Sequence, residues 1–206
     1  MNDYSKALRE WADDLNGVHL PRWEELPKLD LYMDQVLFYI NDTLAFLIVC
    51  ASENGKKSKF DDKLITAAMI NNYVKQGLIP KPEKKRYNRE QLAYLMVYVL
   101  LKQVLPLTDI RKGICAQLQF CKNDYRKAYN LFCNQIEVGF EYVAGLTKGE
   151  KMDAEIYSAM PMTAIGTSMA ALSLATKLIA QKELALIEIE SEEQFIRMNR
   201  KASIVS

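Results

Sequence analysis

The chain is poor in the residues on which metal sites and nucleophilic catalysis most often depend. His19 is the only histidine, and the cysteines form no C-x-x-C pair. This composition argues against Cys/His zinc sites and against histidine-based catalytic triads. We interpret the cysteines as reduced residues on helices rather than as a disulfide pattern. They are Cys50, Cys115, Cys121 and Cys133.

Enzyme motifs are missing as well. The sequence has no glycine-rich phosphate loop, no H-E-x-x-H and no G-x-S-x-G. Its adjacent acidic pairs, at 13–14, 24–25 and 192–193, point apart on a helix and indicate solvated faces. We therefore expect neither an enzymatic activity nor a cofactor.

A strong net charge and a secretion signal are also absent. The chain has 27 Lys and Arg against 26 Asp and Glu, so an anionic partner would have to be recognised by a local cluster. Its first residues, MNDYSKALREWADDLNG, are acidic where a secretion signal needs a basic start and an apolar run. We expect a cytoplasmic protein.

One long stretch without charge occupies residues 156–176, IYSAMPMTAIGTSMAALSLAT. It has the length of a membrane-spanning helix, but it is rich in Ala, Ser, Thr and Met and is interrupted by Pro161 and Gly166. Small residues three or four apart let helices approach closely, so we predict a buried or subunit-interface helix rather than a membrane span.

What the chain does contain is helical periodicity. Half of its residues are hydrophobic, and their spacing predicts an all-α fold with a small strand ribbon around residues 79–86. Pro21 and Pro27 predict an extended connector. A boundary near Lys122 is expected to separate an N-terminal region, 1–121, from a C-terminal helical hairpin or bundle, 122–206. The predicted helices cover residues 3–15, 31–49, 66–76, 89–105, 109–120, 124–145 and 156–176, followed by a charged C-terminal helix.

The segment 89–105 is apolar on almost every side, which predicts the central helix of the protein. Asn88 and Gln91 have the spacing of a capping box at its start, and Pro106 is expected to end it. Thr108 is predicted to cap the next helix.

The short helix 66–76 has two different faces. Thr66 is placed to cap it, and Gly77 to end it in a left-handed conformation. At 100° per residue, one face is apolar and can pack on the central helix. The other face is rich in amides that can pair with an adenine edge in the major groove, while its lysine can reach phosphate. That outer face comprises Ala68, Asn71, Asn72, Lys75 and Gln76, with Met69 at its border.

A basic bend follows this helix. Residues 75–90 hold six cations against two acids, a surplus of four, whereas residues 1–34 hold four cations against eight acids. A stiff basic projection beside an exposed helix could grip phosphates while the helix occupies a groove. The same Gly77, Pro80 and Pro82 could also simply end a helix at a solvated corner. The cations are Lys75, Lys81, Lys84, Lys85, Arg86 and Arg89.

The stretch ITAAMINNYVKQGLIPKP resembles the recognition-helix signature of MerR-type regulators, V-S-x-x-T-L-R-Y-Y-E-x-x-G-L-I-x-P. KRYNREQLAYL is similar to that family's R-x-Y-x-x-x-D-L-x-x-L, and LPLTDIRKGI resembles one of its helix starts. The resemblance implies a winged helix-turn-helix head with a small β wing. The matching positions are Thr66, Ile70, Tyr73, Gly77, Leu78 and Ile79.

With LPRWEELPKLDLYMDQV, residues 20–120 resemble more specifically a bacterial family catalogued as a domain of unknown function, DUF1836. That resemblance implies the same head and supplies no activity. Asn71 and Asn72 stand where MerR-type regulators usually have an arginine and an aromatic residue. This departure leaves open an alternative: a protein-interaction or adaptor module that kept the fold and no longer binds DNA.

We therefore expect a sequence-specific DNA-binding regulator of transcription, acting by repression through promoter occupancy. The helix 66–76 would enter the major groove at A·T-containing half-sites, and a wing at 79–88 would contact phosphates. Homodimerisation is expected through the helices 124–145 and 156–176, because one short helix reads too few bases. The predicted DNA-binding residues are Ala68, Met69, Asn71, Asn72, Lys75, Gln76, Lys81, Lys84, Lys85, Arg86 and Arg89.

Aromatic and methionine residues of the C-terminal region have two interpretations. They could line a pocket for a small hydrophobic effector, or they could form an ordinary core. The residues concerned are Tyr125, Tyr129, Phe132, Met160 and Met162.

Overall fold

A computed structural model describes residues 3–49, 63–150 and 162–186 of the chain. These residues form a mostly helical protein with one two-stranded sheet. The elements are α1 (Asp3–Asn16), β1 (Leu31–Tyr32), α2 (Met33–Thr43), α3 (Phe46–Val49), α4 (Ala67–Lys75), β2 (Arg86–Tyr87), α5 (Arg89–Leu101), α6 (Leu107–Phe120), α7 (Tyr125–Thr147) and α8 (Met162–Leu186).

Helix α5 is the centre of the fold, as its sequence predicts. Ten of its 13 residues are buried, and it contacts α2, α6, α7 and α8. Each large apolar side chain buried there contributes about 1.5–3 kcal/mol. The helix ends at Leu101, four residues earlier than predicted, and the chain continues in turns such as Val104 N–H to Leu101 O at 3.0 Å. Pro106 disfavours helical geometry at Leu105 and offers no N–H to Lys102 O, so the helix cannot continue through this point.

Helix α6 begins differently from the prediction. Pro106 is its N-cap residue, and the prediction that Thr108 caps the helix is wrong. The Pro106 carbonyl accepts the N–H groups of Asp109 at 3.0 Å and Ile110 at 3.1 Å, so Thr108 already lies inside the first turn. Pro106 can take this place because the N-cap residue is extended (ψ 147°) and needs no N–H of its own for a hydrogen bond within the helix.

The single helix predicted for residues 31–49 is divided. Leu31 and Tyr32 form β1, α2 follows, and the chain turns between Thr43 and Phe46 before the short α3. Ala45 N–H bonds to Asp42 O at 3.2 Å, which is a three-residue turn rather than a continuing helix. Asp42 and Thr43 have low helix propensity, and this local preference outweighs the apolar periodicity.

Helices α1, α7 and α8 pack together. Where α7 meets α8, a Cβ on Gly139 would lie 3.1 Å from Ala171, which is tighter than most Cβ contacts, so an added side chain would require Ala171 to shift by a few tenths of an ångström. Within the described part of the uncharged stretch, Ala170, Ala171 and Ala175 are buried against the rest of the chain, whereas Gly166 and Ser173 are exposed. Helix α8 runs unbroken through Gly166 and on past Lys177, so the predicted break and the predicted separate charged helix are wrong within 162–186. Residues 156–161 lie outside the described residues.

The structure also bears on the membrane question and on the cysteines. Within the three described ranges, no helix combines the length and the apolar character needed to cross a bilayer. Cys115, Cys121 and Cys133 have free thiols, while Cys50 lies outside the described residues. Burial raises the pKa of Cys133 to about 12, so this thiol stays protonated at neutral pH.

The connector after α1 is folded onto α7 rather than extended. Arg22 to Leu26 form a turn, in which Leu26 N–H bonds to Arg22 O at 3.1 Å. The Arg22 guanidinium makes a two-pronged ion pair with Glu137, with Nη1 to Oε1 at 2.7 Å and a second contact from Nη2 to Oε2. The same carboxylate accepts Leu20 N–H at 2.8 Å. The hydrogen bond with Glu137 raises the pKa of Arg22, which stays charged.

The predicted boundary near Lys122 falls in a turn between α6 and α7. Lys122 and Asn123 have positive φ values of 55° and 61° there. Contacts such as the Arg22–Glu137 pair connect the two sides of this point. The division into 1–121 and 122–206 therefore stays a prediction.

Candidate nucleic-acid interface

Helix α4 begins and ends where local residues dictate. Thr66 Oγ1 accepts Met69 N–H at 3.4 Å, which satisfies one free donor of the first turn. At the other end Gly77 has a φ of +65°, and Leu78 N–H bonds to Tyr73 O at 2.9 Å. Together with the bond from Gly77 N–H to Val74 O, this is a Schellman motif. Both predicted end signals of the helix are confirmed.

The inner face of α4 is fixed by α2 and α5. Tyr73 is buried, and its ring packs 5.5 Å from that of Tyr98 on α5. Burial raises the pKa of both phenols, that of Tyr98 to about 12, so neither ring carries a charge at neutral pH. Asn41 of α2 donates to Ile65 O at 3.1 Å and accepts Ile65 N–H at 3.2 Å. The helix is thus positioned by apolar packing and by an amide bridge at its start.

The outer face of α4 is open to solvent. Gln76 Nε2 donates to Asn72 Oδ1 at 3.2 Å, so two of the amides are held in register one turn apart. Met69, which the sequence placed at the border, is partly buried and packs against the core. The reading surface, as we call the exposed outer face, comprises Ala68, Asn71, Asn72, Lys75 and Gln76.

The predicted strand ribbon is built differently. β2 pairs antiparallel with β1, so that Leu31 faces Tyr87 and Tyr32 faces Arg86. The small sheet predicted around residues 79–86 is confirmed, but its first strand lies outside that segment, which itself holds a bridge between Glu83 and Arg86 and the first residue of β2. A strand of two residues needs a partner to be stable, and here the partner comes from the chain just before α2.

A tight turn projects the basic tip of this ribbon. Arg86 N–H bonds to Glu83 O at 2.7 Å, and the two central residues, Lys84 and Lys85, have φ values of 46° and 64°. Two-residue turns with both φ values positive normally carry Asn-Gly or Asp-Gly. A non-glycine residue in this region costs roughly 1–2 kcal/mol. The chain keeps two lysines at a position where local stability favours other residues.

We expect the double substitution Lys84→Asn with Lys85→Gly to raise the free energy of unfolding by about 1 kcal/mol. Relief of the left-handed strain is partly offset by the greater backbone entropy of glycine in the unfolded chain. Urea unfolding would measure the gain. The matched variant, Lys84→Gln with Lys85→Gln, removes the same charges but keeps the strain, so its stability should stay unchanged. An equal gain in both variants would attribute the effect to charge instead.

Gln91 fixes the base of the wing (residues 79–88) to the start of α5. Its Oε1 accepts Asn88 N–H at 2.7 Å, while Asn88 Oδ1 accepts Gln91 N–H at 3.0 Å, which confirms the predicted capping box. Gln91 Nε2 also donates to Pro80 O at 3.0 Å. Sequence reasoning found the cap but missed this second contact. The available signal was the glutamine itself: its Oε1 is used by the cap, which leaves its NH₂ group to donate elsewhere.

The six cations of the bend do not behave alike. Within the described residues, Lys75, Lys81, Lys84 and Lys85 are exposed and make no ion pair. Arg86 instead donates to Tyr32 Oη at 2.7 Å and lies 4.8 Å from the centre of that ring.

Arg89 is turned towards the body of the protein. Its guanidinium lies 5.7 Å from the centre of the Trp23 ring, and its Nε is buried without a hydrogen-bond partner in the described part of the chain. Arg86 and Arg89 are thus committed to aromatic rings. Their predicted role on phosphates stays a prediction, and the four lysines form the free cationic set.

The described residues contain no group of three or more His, Cys, Asp or Glu side chains arranged to hold a metal ion. What they bring together is an amide-rich helix face and a lysine-tipped turn.

The family comparison covers this same part of the fold. No curated protein and no solved structure matches the chain. The family described as a domain of unknown function, DUF1836, matches residues 21–132. The matched region starts in the connector, contains α4 and the wing, and ends within α7. Because it covers just over half of the 206 residues, the chain belongs to the DUF1836 family.

Proposed function

We propose that this protein is a sequence-specific DNA-binding regulator of transcription with a MerR-like winged helix-turn-helix head. The observation that carries the proposal is the exposed, amide-rich reading surface of α4 beside a turn whose lysines are unpaired in the described structure. In this arrangement α4 enters the major groove and the wing contacts the phosphate backbone.

The reading surface has the chemistry of a base-reading helix. The amides of Asn71, Asn72 and Gln76 can each offer a donor and an acceptor to the adenine edge, which favours A·T-containing half-sites. The bond between Gln76 and Asn72 orders two of these amides before DNA is met. Ala68, near the start of the helix, leaves room for the groove wall.

The four free lysines supply the phosphate contacts. Lys75 extends from the last turn of α4, and Lys84 and Lys85 occupy the tip of the wing. Four contacts on each head would make eight in a dimer. Counterion release then predicts about a thousandfold loss of affinity or more between roughly 50 and 200 mM salt.

Two-fold assembly would supply the second half-site. Helix α4 has nine residues, about 13 Å of helix, so one copy reads too few bases to locate a promoter. The close approach of α7 and α8 at Gly139 is used within the chain. The dimer contact would therefore use apolar side chains that these helices leave exposed, namely Leu146, Ile165, Met169 and Leu184. Occupation of a promoter by such a dimer would repress transcription.

The test is selection of bound duplexes from a random pool, followed by a salt titration on the selected sequence. We expect an inverted repeat with A·T-containing half-sites and the steep salt dependence given above. The absence of any enriched sequence, together with no salt-dependent binding to random duplex, would overturn the proposal.

A second candidate is an adaptor that keeps this fold without binding DNA. The observation that favours it is the high exposure of two apolar side chains, Leu29 before β1 at 80% and Phe38 on α2 at 74%. Exposed large apolar groups often mark protein contacts. An adaptor would bind no duplex at any salt concentration, so the same titration separates the two candidates.

A further inference from the structure

A cavity of about 480 Å³ opens beside α5. Its walls come from the connector, α5, α6, α7 and α8. On α5 the lining residues are Glu90, Ala93, Tyr94, Val97 and Leu101, which recur at helical spacing and define one face. Gln91 and Tyr98, which contact the wing and α4, lie about a quarter turn away around the same helix. The cavity therefore adjoins the support of the reading surface.

The cavity is open to solvent, since Asp109, Gly113 and Gly166 in its wall are exposed. It is therefore a surface pocket that a ligand can enter, and its size can be compared with that of known ligand sites. A space of about 480 Å³ is comparable to pockets that hold small organic ligands, roughly 300–1,000 Å³. Its walls are mostly apolar and include the rings of Trp23, Tyr125 and Phe132. Water would solvate such walls poorly, so the space suits an apolar guest.

The charges around the cavity select against anions. No lysine or arginine is among the described residues that line it, whereas the carboxylates of Glu90 and Asp109 are. Asp109 is paired with the exposed Lys112 at 3.2 Å, but no ion pair is described for Glu90. A negatively charged guest would lose its hydration without meeting a cation, which is costly in apolar surroundings.

Two mostly buried polar residues, Tyr129 and Gln117, line the cavity. Tyr129 Oη is buried without a hydrogen-bond partner in the described structure. Gln117 is 8% exposed, and its Nε2 makes a long contact of 3.5 Å to Ala128 O, which leaves its Oε1 as the acceptor on this wall. A guest with an N–H or O–H donor would satisfy this acceptor.

We infer that the cavity is a binding site for a small, uncharged aromatic molecule that carries a hydrogen-bond donor. Aromatic walls give it stacking and edge contacts, Gln117 receives the donor, and Glu90 disfavours anionic analogues. This goes beyond DNA binding and identifies the chemical class of an effector.

The site also has a physical connection to the wing. The Trp23 ring is both a wall of the cavity and the surface on which the Arg89 guanidinium lies. Arg89 is the first residue of α5 and follows directly on the wing. A guest against Trp23 therefore changes the surroundings of the residue at the base of the wing. This regulatory consequence rests on the proposed function, whereas binding of the guest does not.

The experiment uses two probes with the same ring system. N-phenyl-1-naphthylamine is uncharged and has one N–H donor, and 1-anilinonaphthalene-8-sulfonate adds a sulfonate to it. Calorimetry without DNA should give one site for the neutral probe with a Kd on the order of 10 µM and at least tenfold weaker binding of the anion. Trp23 fluorescence should be quenched in a Trp11→Phe background, since the chain has two tryptophans.

A blocking variant tests the location. Gly113 lies on the cavity-facing side of α6 with Ile110 and Gln117, and an added Cβ there meets no heavy atom within 4 Å. Gly113→Phe should place a ring inside the cavity and lower affinity for the neutral probe at least tenfold. The matched variant Gly113→Ala also removes a glycine from the helix and should bind normally, which controls for altered helix stability.

Each outcome is decisive. Equal binding of both probes at several sites per chain, or normal binding by Gly113→Phe, would overturn the inferred site. For regulation, saturation with the neutral probe should change DNA affinity at least fivefold in the unmodified protein and not in Gly113→Phe. Probe binding with unchanged DNA affinity would overturn the regulatory link alone. Absence of DNA binding would overturn the proposed function and leave the calorimetric result intact.

Discussion

Replacing both Lys84 and Lys85 with glutamate should lower affinity for duplex DNA about a hundredfold at low salt. The change reverses two charges at the tip of the wing, so two phosphate contacts become repulsions. The slope of log affinity against log salt concentration should fall by about two for each head, because each lost phosphate contact reduces it by about one. Arg86 is left in place because its contact with Tyr32 belongs to the sheet. Fluorescence anisotropy with a selected duplex measures both quantities.

The control is the same reversal at Lys122 and Lys127. Both are exposed, and Lys122 also sits in a left-handed turn, with φ 55°, whereas Lys127 lies in the first turn of α7; the two double variants therefore match in charge and at one of the two backbone positions. We expect the control to lose much less affinity, and both variants to unfold at the same urea concentration as the unmodified protein. Equal losses in the two variants would show that overall charge, rather than the wing, governs binding.

The second large effect is expected at the Arg22–Glu137 ion pair, which joins the connector to α7. Arg22→Ala should lower the free energy of unfolding by about 2–3 kcal/mol, somewhat less than for a fully buried pair. The Arg22 and Glu137 side chains are 26% and 21% exposed, so removal of the guanidinium leaves a largely buried carboxylate without its bidentate partner. Urea unfolding followed by circular dichroism measures the loss.

A second arginine provides the comparison on the same two elements. Arg126 of α7 approaches Glu24 of the connector at 3.6 Å, with side chains 64% and 54% exposed. Solvent screens this pair, so Arg126→Ala should cost no more than about 0.5 kcal/mol. If the two arginine variants lost the same stability, burial of the Arg22–Glu137 pair would not explain its contribution.

The parts of the fold that could be predicted depend on interactions within a few residues. Thr66 and Gly77 delimit α4, and Asn88 with Gln91 starts α5, because the hydrogen bonds of these caps span at most five positions. The all-round apolar character of α5 likewise requires burial wherever its neighbours come from.

The parts that escaped prediction depend on contacts between distant residues. Residues Leu31 and Tyr32 read as the start of a helix, yet the strand at Arg86 recruits them into a sheet. The Arg22–Glu137 pair joins residues 115 positions apart, and nothing local indicates it. Arg86 and Arg89 looked like free cations because their aromatic partners, Tyr32 and Trp23, lie far away in sequence.

The candidate site divides in the same way. Exposure of the amides on α4 followed from a helical wheel, and the described structure agrees with it. The sequence did not indicate which of the six cations are available to bind phosphate, because this depends on which of them contact an aromatic ring in the folded protein. The cavity was anticipated only through Tyr125, Tyr129 and Phe132, while α5 and α6 supply much of its wall. Met160, and the side chain of Met162, lie outside what the structure describes.

The central position of α5 has a consequence for how this protein can be dissected. One face of that helix carries α4 and the wing, while another is covered by α7 and α8. A fragment cut at Lys122 would strip the second face and present bare Ala93, Val97 and Leu101 to water. Such a piece would be expected to self-associate. The proposed DNA binding and the inferred ligand binding are therefore better separated by single amino-acid substitutions than by truncation.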